Sequence, residues 1–316
     1  MAVQFRNTTY PLARNASGIW TATIGPFDPE VYTFHYVIDG APFYNVIDGA
    51  GLDNRIVEIP GNPLRYDELK NVPHGTVSLH TYYSQVQGRE RHFRVYLPPQ
   101  YYSEPNRKFP VMYLFNGFDD IEWTETGKAD IVLDNLIAEK KAVPMILVMP
   151  FNRINGENLA QLAPIAATAK TREERSGLAT SLDTIKVFEK ELPNEIMPIV
   201  EKDYRVMADR DHRAIAGLSF GGGTAFGLAL RHPDLFAYLA EFATGTFGGT
   251  ANPTDGYVGY GPWNPDNITP NLYKKMTDPA TKFNVLHGSW TGRSATAVPE
   301  GGLRRVQEAR RQPTGV

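Results

Sequence analysis

The chain has no cysteine. Disulfide bonds, thiolate catalysis and cysteine-ligated zinc are therefore excluded. Its 316 residues contain no apolar run that approaches the roughly 20 residues needed by a membrane-spanning helix. Residues 1–6 lack a basic segment followed by an apolar one, so we expect no signal peptide in these residues. A mature secreted or periplasmic form would look the same, and the location of the protein stays open.

Net charge is also small. The formal value is -3 at pH 7, which argues against a broad electrostatic surface for nucleic acid or an anionic membrane. Neither partner is expected. Hydrophobic residues make up 42% of the chain, an ordinary share for a globular protein with room for one large domain and a small one.

A serine set among glycines is the most informative feature that is present. Gly217-Leu218-Ser219-Phe220-Gly221 follows the apolar run 214–216 and precedes a small-residue helical pattern. This layout predicts a nucleophile elbow, in which a strained strand-to-helix turn holds the serine hydroxyl above a sheet. The Phe220 amide then lies at a helix N-terminus, where it can donate to a developing oxyanion. A plain glycine-rich turn is the alternative.

The pattern of the chain changes near residue 60. Short alternating runs before it predict a small antiparallel sandwich, and the segment Pro60–Pro73 has the composition of a linker. Beyond it, buried runs at 109–115 and 145–149 alternate with helical patterns, which predicts a mostly parallel sheet with helices on both faces. The helical patterns lie near 127–139 and 185–202. The predicted domains are 1–62 and 76–316, joined by a linker at 63–75.

Residues from about 74 to 245 resemble carbohydrate esterase family 1, the feruloyl and acetylxylan esterases, and are also similar to enterochelin esterase. Besides the elbow, the matching pieces are His74-Gly75-Thr76-Val77, Arg94-Val95-Tyr96-Leu97-Pro98-Pro99, Phe109-Pro110-Val111-Met112-Tyr113-Leu114, Asp134-Asn135-Leu136-Ile137-Ala138 and His232-Pro233-Asp234-Leu235-Phe236. The resemblance implies an α/β-hydrolase fold and a serine carboxylic ester hydrolase that forms an acyl-enzyme, with no cofactor or metal.

The N-terminal part resembles an immunoglobulin-like, glycogen-type carbohydrate-binding module. The matching pieces are Gly18-Ile19-Trp20-Thr21 and the run from Val31 to Gly40. By this resemblance, an all-β sandwich precedes the hydrolase domain, and a feruloylated or acetylated oligosaccharide or polysaccharide is the expected partner.

The resemblance to the esterases also implies site residues. Ser219 is the nucleophile, and the backbone amides of Phe118 and Phe220 form the oxyanion hole. The loop before Phe118 reads Asn116-Gly117, where the family usually has His-Gly. Because the donor is a backbone amide, the changed side chain need not abolish the hole. An acidic surface loop is the alternative.

Aromatic residues are candidates for substrate contact. The stretch 256–263 follows the predicted sixth strand, on the side of the sheet where this fold binds ligands. Stacking of a feruloyl ring or a sugar is expected there, and packing of the loop is the alternative. The candidate residues are Trp123, Tyr257, Tyr260 and Trp263.

The general base is less clear than the nucleophile. In this fold the chain order is serine, acid, histidine, and only His232 and His287 follow Ser219. His232 ends the helix that starts at the serine, on the order of 20 Å away, so we expect a structural role. His287 closes the predicted seventh strand and is the candidate base, with a structural strand-end histidine as the alternative. The acid is left unassigned.

After His287, the eighth strand and closing helix of the family are not recognisable. An uncovered sheet edge invites pairing with a second copy, so we expect a homo-oligomer through that edge.

Three functions stay open. They are an esterase on feruloylated or acetylated plant polysaccharide, a glycan-binding protein with a relic hydrolase fold, and an esterase or acyltransferase on a siderophore or lipid ester.

Overall fold

The computed structural model describes residues 1–5, 8–43, 55–117, 120–154, 181–242 and 284–288. The chain forms two compact units, each assembled from separate stretches of sequence. The first comprises Met1–Pro73, Asp119–Ala142 and Glu157–Arg175. The second comprises His74–Phe118, Val143–Gly156 and Ser176–Val316. The domain bounds expected from the sequence, at 62 and 76, stay a prediction.

Short strands come first in the chain, and longer strands alternating with helices follow. The strands are β1 (Ala2–Phe5), β2 (Thr8–Pro11), β3 (Ala13–Arg14), β4 (Trp20–Thr21), β5 (Glu30–Ile38), β6 (Ala41–Phe43), β7 (Arg55–Ile59), β8 (Thr76–Ser84), β9 (Arg89–Leu97), β10 (Val111–Phe115), β11 (Ile146–Pro150), β12 (Arg213–Leu218), β13 (Tyr238–Phe242) and β14 (Asn284–Gly288). The helices are α1 (Gln100–Ser103), α2 (Ala129–Ala138), α3 (Ser181–Glu191), α4 (Met197–Asp203) and α5 (Phe220–Arg231). A π-helical turn, Leu192–Ile196, joins α3 to α4, and a 3-10 turn, Arg210–His212, precedes β12. No helix within these described ranges is long and apolar enough to cross a membrane.

The N-terminal strands form small antiparallel sheets. β5 pairs with β1, β6 and β7, and β1 pairs with β2, while β3 and β4 make a separate two-stranded sheet. Phe5 stacks on Phe27 with ring centroids 4.4 Å apart, and Tyr32 lies 5.2 Å from Phe5. These rings pack the centre of the sheet. The antiparallel β-structure predicted for this region is confirmed, and its likeness to an immunoglobulin-like module stays a prediction.

The segment predicted to be a linker forms an ordered loop against α2. Glu68 is buried and accepts hydrogen bonds from the Gly61 N–H at 2.8 Å and from the Arg65 N–H. Asn135 on α2 is fully buried, and its Nδ2 donates to the carbonyl oxygens of Tyr66 at 2.7 Å and Glu68 at 2.9 Å. Because buried polar groups are costly without partners, these bonds tie the loop to α2.

The second unit is built on a seven-stranded sheet in the order β14-β13-β12-β10-β11-β9-β8. Pairings between β11, β10, β12, β13 and β14 are parallel, and β9 joins β8 and β11 in antiparallel pairs. β10 and β11 are continuous apolar runs and are mostly buried, as expected for strands covered on both faces. The mostly parallel sheet predicted from the sequence is confirmed. The carboxyl ends of its parallel strands share one edge, where open α/β sheets bind ligands.

The core of the second unit contains side chains from the sheet and from the helices. Ile215 on β12, Phe188 on α3 and Leu228 on α5 are all buried in it. The sequence predicted one helix over 185–202, whereas the structure has α3 and α4 separated by the π-helical turn. Pro193 lies in that turn, and its missing N–H interrupts the regular helical hydrogen bonds.

Candidate active site

Ser219 lies between the end of β12 and the start of α5. Its backbone has φ 51° and ψ -114°, a conformation that costs a residue other than glycine roughly 1–3 kcal/mol. Two backbone hydrogen bonds hold it there. The Ser219 N–H donates to the Phe242 carbonyl at 2.9 Å, and the Ser219 carbonyl accepts from the Gly223 N–H at 3.1 Å. The strand β13 and the first turn of α5 therefore hold a strained strand-to-helix turn, the geometry of an elbow.

Two glycines let this turn pack directly against the sheet. A Cβ added to Gly217 would lie 2.2 Å from the Gly221 carbonyl oxygen. A Cβ on Gly221 would lie 2.4 Å from the Asn116 carbonyl oxygen and 2.5 Å from that of Phe115. These contacts are with backbone, which cannot move aside as a flexible side chain can. Glycine at both positions thus lets α5 begin against the carboxyl end of β10.

One of the two predicted oxyanion donors falls on described residues. Phe220 is the first residue of α5, and the first N–H groups of a helix have no acceptor within that helix. They also carry the positive end of the helix dipole, which favours a developing anion. Phe118 lies outside the described residues, so the second donor stays a prediction.

Asn116, the departure from the family pattern, ties together the ends of β10 and β11. Its Oδ1 accepts a hydrogen bond from the Asn152 N–H at 2.9 Å, and the Asn152 Nδ2 donates to the Asn116 carbonyl at 3.1 Å. Both residues are at most 2% exposed. The Asn116 side chain therefore holds the backbone that leads into the predicted oxyanion loop. Asn152 was not singled out from the sequence, although it follows a buried strand as Asn116 does.

The turn after β11 also reaches the elbow. The Arg153 guanidinium carbon lies 5.1 Å from the centroid of the Phe220 ring. Arg91 on β9 holds this turn, since its Nη1 donates to the Arg153 carbonyl at 2.6 Å and its Nη2 donates to the Phe151 carbonyl. Nothing in the local sequence pattern identified these arginines.

Arg91 is paired with a buried carboxylate. It is 4% exposed, and its Nε lies 3.6 Å from Oε1 of the fully buried Glu191. Glu191 also accepts from the Tyr82 hydroxyl at 2.7 Å and from the Gln87 Nε2 at 2.6 Å. Burial, followed by the Glu191 charge, raises the pKa of Tyr82 far above its ordinary value, so the hydroxyl stays a donor. The carboxylate thus has two hydrogen-bond donors and one cation beside it, as a buried charge requires.

His287, the candidate base, lies in β14. Its register partner on β13 is Glu241, and the partner of Glu241 on β12 is Gly217. The His287 backbone is thus level with a residue two positions before Ser219, with one strand between them. Its side chain is outside the described residues. Glu241 is a buried carboxylate, 9% exposed. It is a candidate for the unassigned acid, and the sequence analysis did not single it out.

The remaining predicted residues divide between described and undescribed parts. Tyr257, Tyr260 and Trp263 lie outside the described residues. Trp123 belongs to the first compact unit, in the turn before α2, where its carbonyl accepts from the Ala129 N–H at 2.7 Å. His232 follows the last residue of α5, and its Nε2 lies 3.5 Å from Glu189 Oε1. In the described ranges, no group of three or more His, Asp and Glu side chains is arranged to hold a metal.

Sequence comparison relates the chain to known proteins. The family model Esterase, described as "Putative esterase", matches residues 84–290. A Xylanibacter ruminicola protein named endo-1,4-beta-xylanase/feruloyl esterase is 32% identical over 248 residues, which are 75% of this chain and 32% of that protein. An uncharacterized protein of Corynebacterium glutamicum is 23% identical over 150 residues, 47% of this chain and 31% of that protein. The chain spans about a third of the length of the curated relatives that it matches.

Solved structures share the fold. A CE1 ferulic acid esterase from Anaeromyces mucronatus is 26% identical, with a TM-score of 0.50 over 65% of this chain and 70% of that chain. The enterobactin esterase FES from Shigella flexneri has a TM-score of 0.52 over 93% of this chain and 84% of that chain. At 14% identity, the second likeness shows the fold alone. The second unit is therefore an α/β-hydrolase fold of the kind found in esterases.

Proposed function

The chain belongs to the Esterase family, and we propose that it is a serine hydrolase that cleaves feruloyl or other acyl esters of plant polysaccharide. The observation that carries the proposal is the strained turn at Ser219, at the carboxyl edge of the parallel sheet. The substrate class is supported by the relatives from Xylanibacter ruminicola, an endo-1,4-beta-xylanase/feruloyl esterase, and Anaeromyces mucronatus, a ferulic acid esterase.

The proposed reaction has two acyl transfers. The Ser219 hydroxyl loses its proton to the base and attacks the ester carbonyl carbon, and the carbonyl oxygen becomes an oxyanion. The amides of Phe220 and Phe118 donate to that oxygen. The intermediate collapses as the alcohol leaves with the proton held by the base, which produces the acyl-enzyme. Water then attacks the acyl carbon in the same way and releases the free acid and Ser219.

His287 is proposed as the base, by its place in the chain after the serine and at the carboxyl end of the sheet. A hydroxyl is a weak nucleophile until an imidazole accepts its proton, and a carboxylate usually holds that imidazole in the productive tautomer.

The aromatic residues Trp123, Tyr257, Tyr260 and Trp263 are proposed to stack on the aromatic acid or the sugar. Residues 1–62 are proposed to bind glycan, by their resemblance to a carbohydrate-binding module.

The test is hydrolysis of methyl ferulate and p-nitrophenyl acetate by the wild-type chain and by Ser219→Ala. We expect the variant to lose at least about 1,000-fold in kcat, since removal of a nucleophile leaves only the contribution of the oxyanion hole and binding. Ser78→Ala is the control, because Ser78 is an exposed serine on β8, and it should match the wild type. A wild type no faster than Ser219→Ala would contradict the proposal.

Two further comparisons separate the parts of the proposal. A loss in His287→Ala equal to that in Ser219→Ala supports His287 as the base, whereas an active His287→Ala variant contradicts that assignment alone. Release of ferulate from feruloylated arabinoxylan oligosaccharides, measured against release of acetate from acetylxylan, identifies the acyl group. Failure on both, with methyl ferulate still cleaved, would contradict the polysaccharide substrate.

A further inference from the structure

We propose that Arg153 is a positioning residue for the oxyanion hole. Its guanidinium lies on the ring of Phe220, the residue whose amide is the proposed oxyanion donor. The inference rests on the proposed function, because an oxyanion forms only if Ser219 attacks a carbonyl. Nothing in the proposed chemistry uses Arg153 directly, so its role is to hold Phe220 in place.

The first turn of α5 offers few side chains by which it could be held. Residues 220–223 are Phe-Gly-Gly-Gly, so Phe220 has the only side chain in that turn. Glycine leaves the backbone with more conformational freedom than any other residue. Ser219, directly before, is itself strained at φ 51°. A small rotation of this backbone changes the direction of the Phe220 N–H, and contacts to the Phe220 ring oppose that rotation.

Arg153 is well placed to supply such a contact because its own backbone is fixed. Arg91 donates to the carbonyls of Arg153 and Phe151 from the two terminal nitrogens of its guanidinium, Nη1 and Nη2. The buried Glu191 carboxylate in turn fixes Arg91. Arg89 adds a hydrogen bond from Nη2 to the Ile154 carbonyl. The turn 151–154 is therefore anchored to β9 and to the end of α3.

A guanidinium on an aromatic face combines two attractions. The positive charge interacts with the ring quadrupole, and the planar group stacks on the ring. Arg153 and Phe220 are both half-buried. For such a pair, loss of the contact corresponds to a change of about 5- to 30-fold in an equilibrium or rate constant. A positioning error of about 1 Å at a reacting centre lowers the reaction rate strongly. We therefore expect the loss of this contact to lower kcat.

The experiment compares Arg153→Met, Arg153→Lys and the control Arg107→Met with the wild type on methyl ferulate. Arg153→Met is expected to lower kcat about 5- to 30-fold with KM within about 2-fold. Arg153→Lys keeps the charge but not the planar group, so its kcat should fall between those of the wild type and Arg153→Met. Arg107→Met removes a guanidinium that lies at the same distance, 5.1 Å, from the ring of Phe109, which precedes the amino end of β10, and should keep kcat within about 2-fold of the wild type.

A second measurement distinguishes misplacement of the oxyanion donor from a general loosening of the turn 151–154. A trifluoromethyl ketone that Ser219 converts to a hemiketal places an oxyanion in the hole, so its inhibition constant reports the donors. Arg153→Met should raise that constant by the factor by which kcat/KM falls. The affinity of Ser219→Ala for methyl ferulate should be unchanged when Arg153→Met is added.

Several results would overturn the inference. They are a kcat of Arg153→Met within about 2-fold of the wild type, an equal loss of kcat in Arg107→Met, or an inhibition constant that Arg153→Met does not change. A wild type without Ser219-dependent hydrolysis contradicts the proposed function and this inference together. An active wild type with an unaffected Arg153→Met contradicts this inference alone.

Discussion

Asn152 is a single residue that determines how two strand ends meet. Its N–H and its side-chain amide both bond to Asn116, and the two residues are nearly inaccessible to water. A buried hydrogen-bonding group that loses its partner costs more free energy than the bond contributes when formed. The pair therefore affects both the stability of the sheet and the loop that leads to the proposed oxyanion donor.

Asn152→Ala should lower the free energy of unfolding by about 1–3 kcal/mol, because the buried Asn116 carbonyl loses the hydrogen bond from Asn152 Nδ2. Urea denaturation measures the change. Asn194→Ala is the control, since Asn194 makes a similar side-chain bond at 2.7 Å to the Lys190 carbonyl but is exposed. Its cost should stay below about 1 kcal/mol. Equal costs for the two variants would show that burial of the Asn116–Asn152 pair is not what matters.

Helix α5 shows how one element serves both packing and chemistry. Gly221 faces the backbone at the end of β10, and Gly227, two turns later, faces Ile185 on α3. At Gly221 an added Cβ would meet carbonyl oxygens, whereas at Gly227 it would meet Ile185 Cδ1 at 2.4 Å. The added Cβ would also lie 2.9 Å from Ile185 Cγ1, so the buried Ile185 side chain must shift, which is easier than moving a carbonyl fixed in a sheet.

We therefore expect Gly221 to tolerate alanine less well than Gly227 does in the same helix. Gly221→Ala should cost more than about 3 kcal/mol or prevent folding, since α5 must move away from β10. Gly227→Ala should cost about 1–3 kcal/mol, because the gain in helix propensity offsets only part of the repacking of the buried Ile185. Thermal unfolding of both variants, with methyl ferulate hydrolysis as a second readout, measures the difference. A stable and active Gly221→Ala would mean that α5 does not depend on this close approach.

The secondary structure of the second unit could be predicted to a large extent from the sequence. The runs that become β10, β11 and β12 are apolar enough to indicate buried strands. The π-helical turn at Leu192–Ile196 could not be predicted, because Pro193 is compatible with either a helix end or a local distortion. The contact between Arg153 and Phe220 also could not, because 67 positions separate the two residues in the chain and no local pattern connects them.

The first compact unit takes in α2 together with the N-terminal residues. Its loop at 60–73 supplies the partners of Asn135, and Tyr66 also donates to Glu139 Oε2 at 2.9 Å. Lys141, Tyr66 and Lys70 together lower the pKa of Glu139 to about 2. These contacts indicate that the loop belongs structurally with α2. We therefore expect the loop to stay packed on α2 when the strands before it are removed.

Two N-terminal deletions test this assignment. A chain of residues 60–316 keeps the partners of Asn135 and should unfold cooperatively near the temperature of the full chain. A chain of residues 74–316 leaves the buried Asn135 amide without the Tyr66 and Glu68 carbonyls, and should lose at least about 2 kcal/mol or aggregate. Calorimetry and light scattering measure both. Equal stability of the two chains would show that the loop contributes nothing to α2.

The homo-oligomer expected from an uncovered sheet edge stays a prediction. Among the described strands, β14 pairs only with β13, so its outer edge is the place where a second copy would add a strand. Glycan binding by residues 1–62 also stays a prediction. Both concern surfaces of the molecule and not the chemistry at Ser219.

Local patterns in the chain were enough to predict the fold class and the nucleophile candidate. Hydrophobic periodicity encodes buried strands and helices, and an elbow needs serine and glycine within five consecutive residues, so both signals are short-range. The arrangement around Ser219 depends instead on residues far apart in the chain. Asn116 meets Asn152 and Arg153 meets Phe220 because the sheet order brings β10, β11 and β12 together. Arg91 meets Glu191 because α3 packs against the sheet. Such contacts depend on folding of the whole sheet, and for that reason no stretch of sequence contains them.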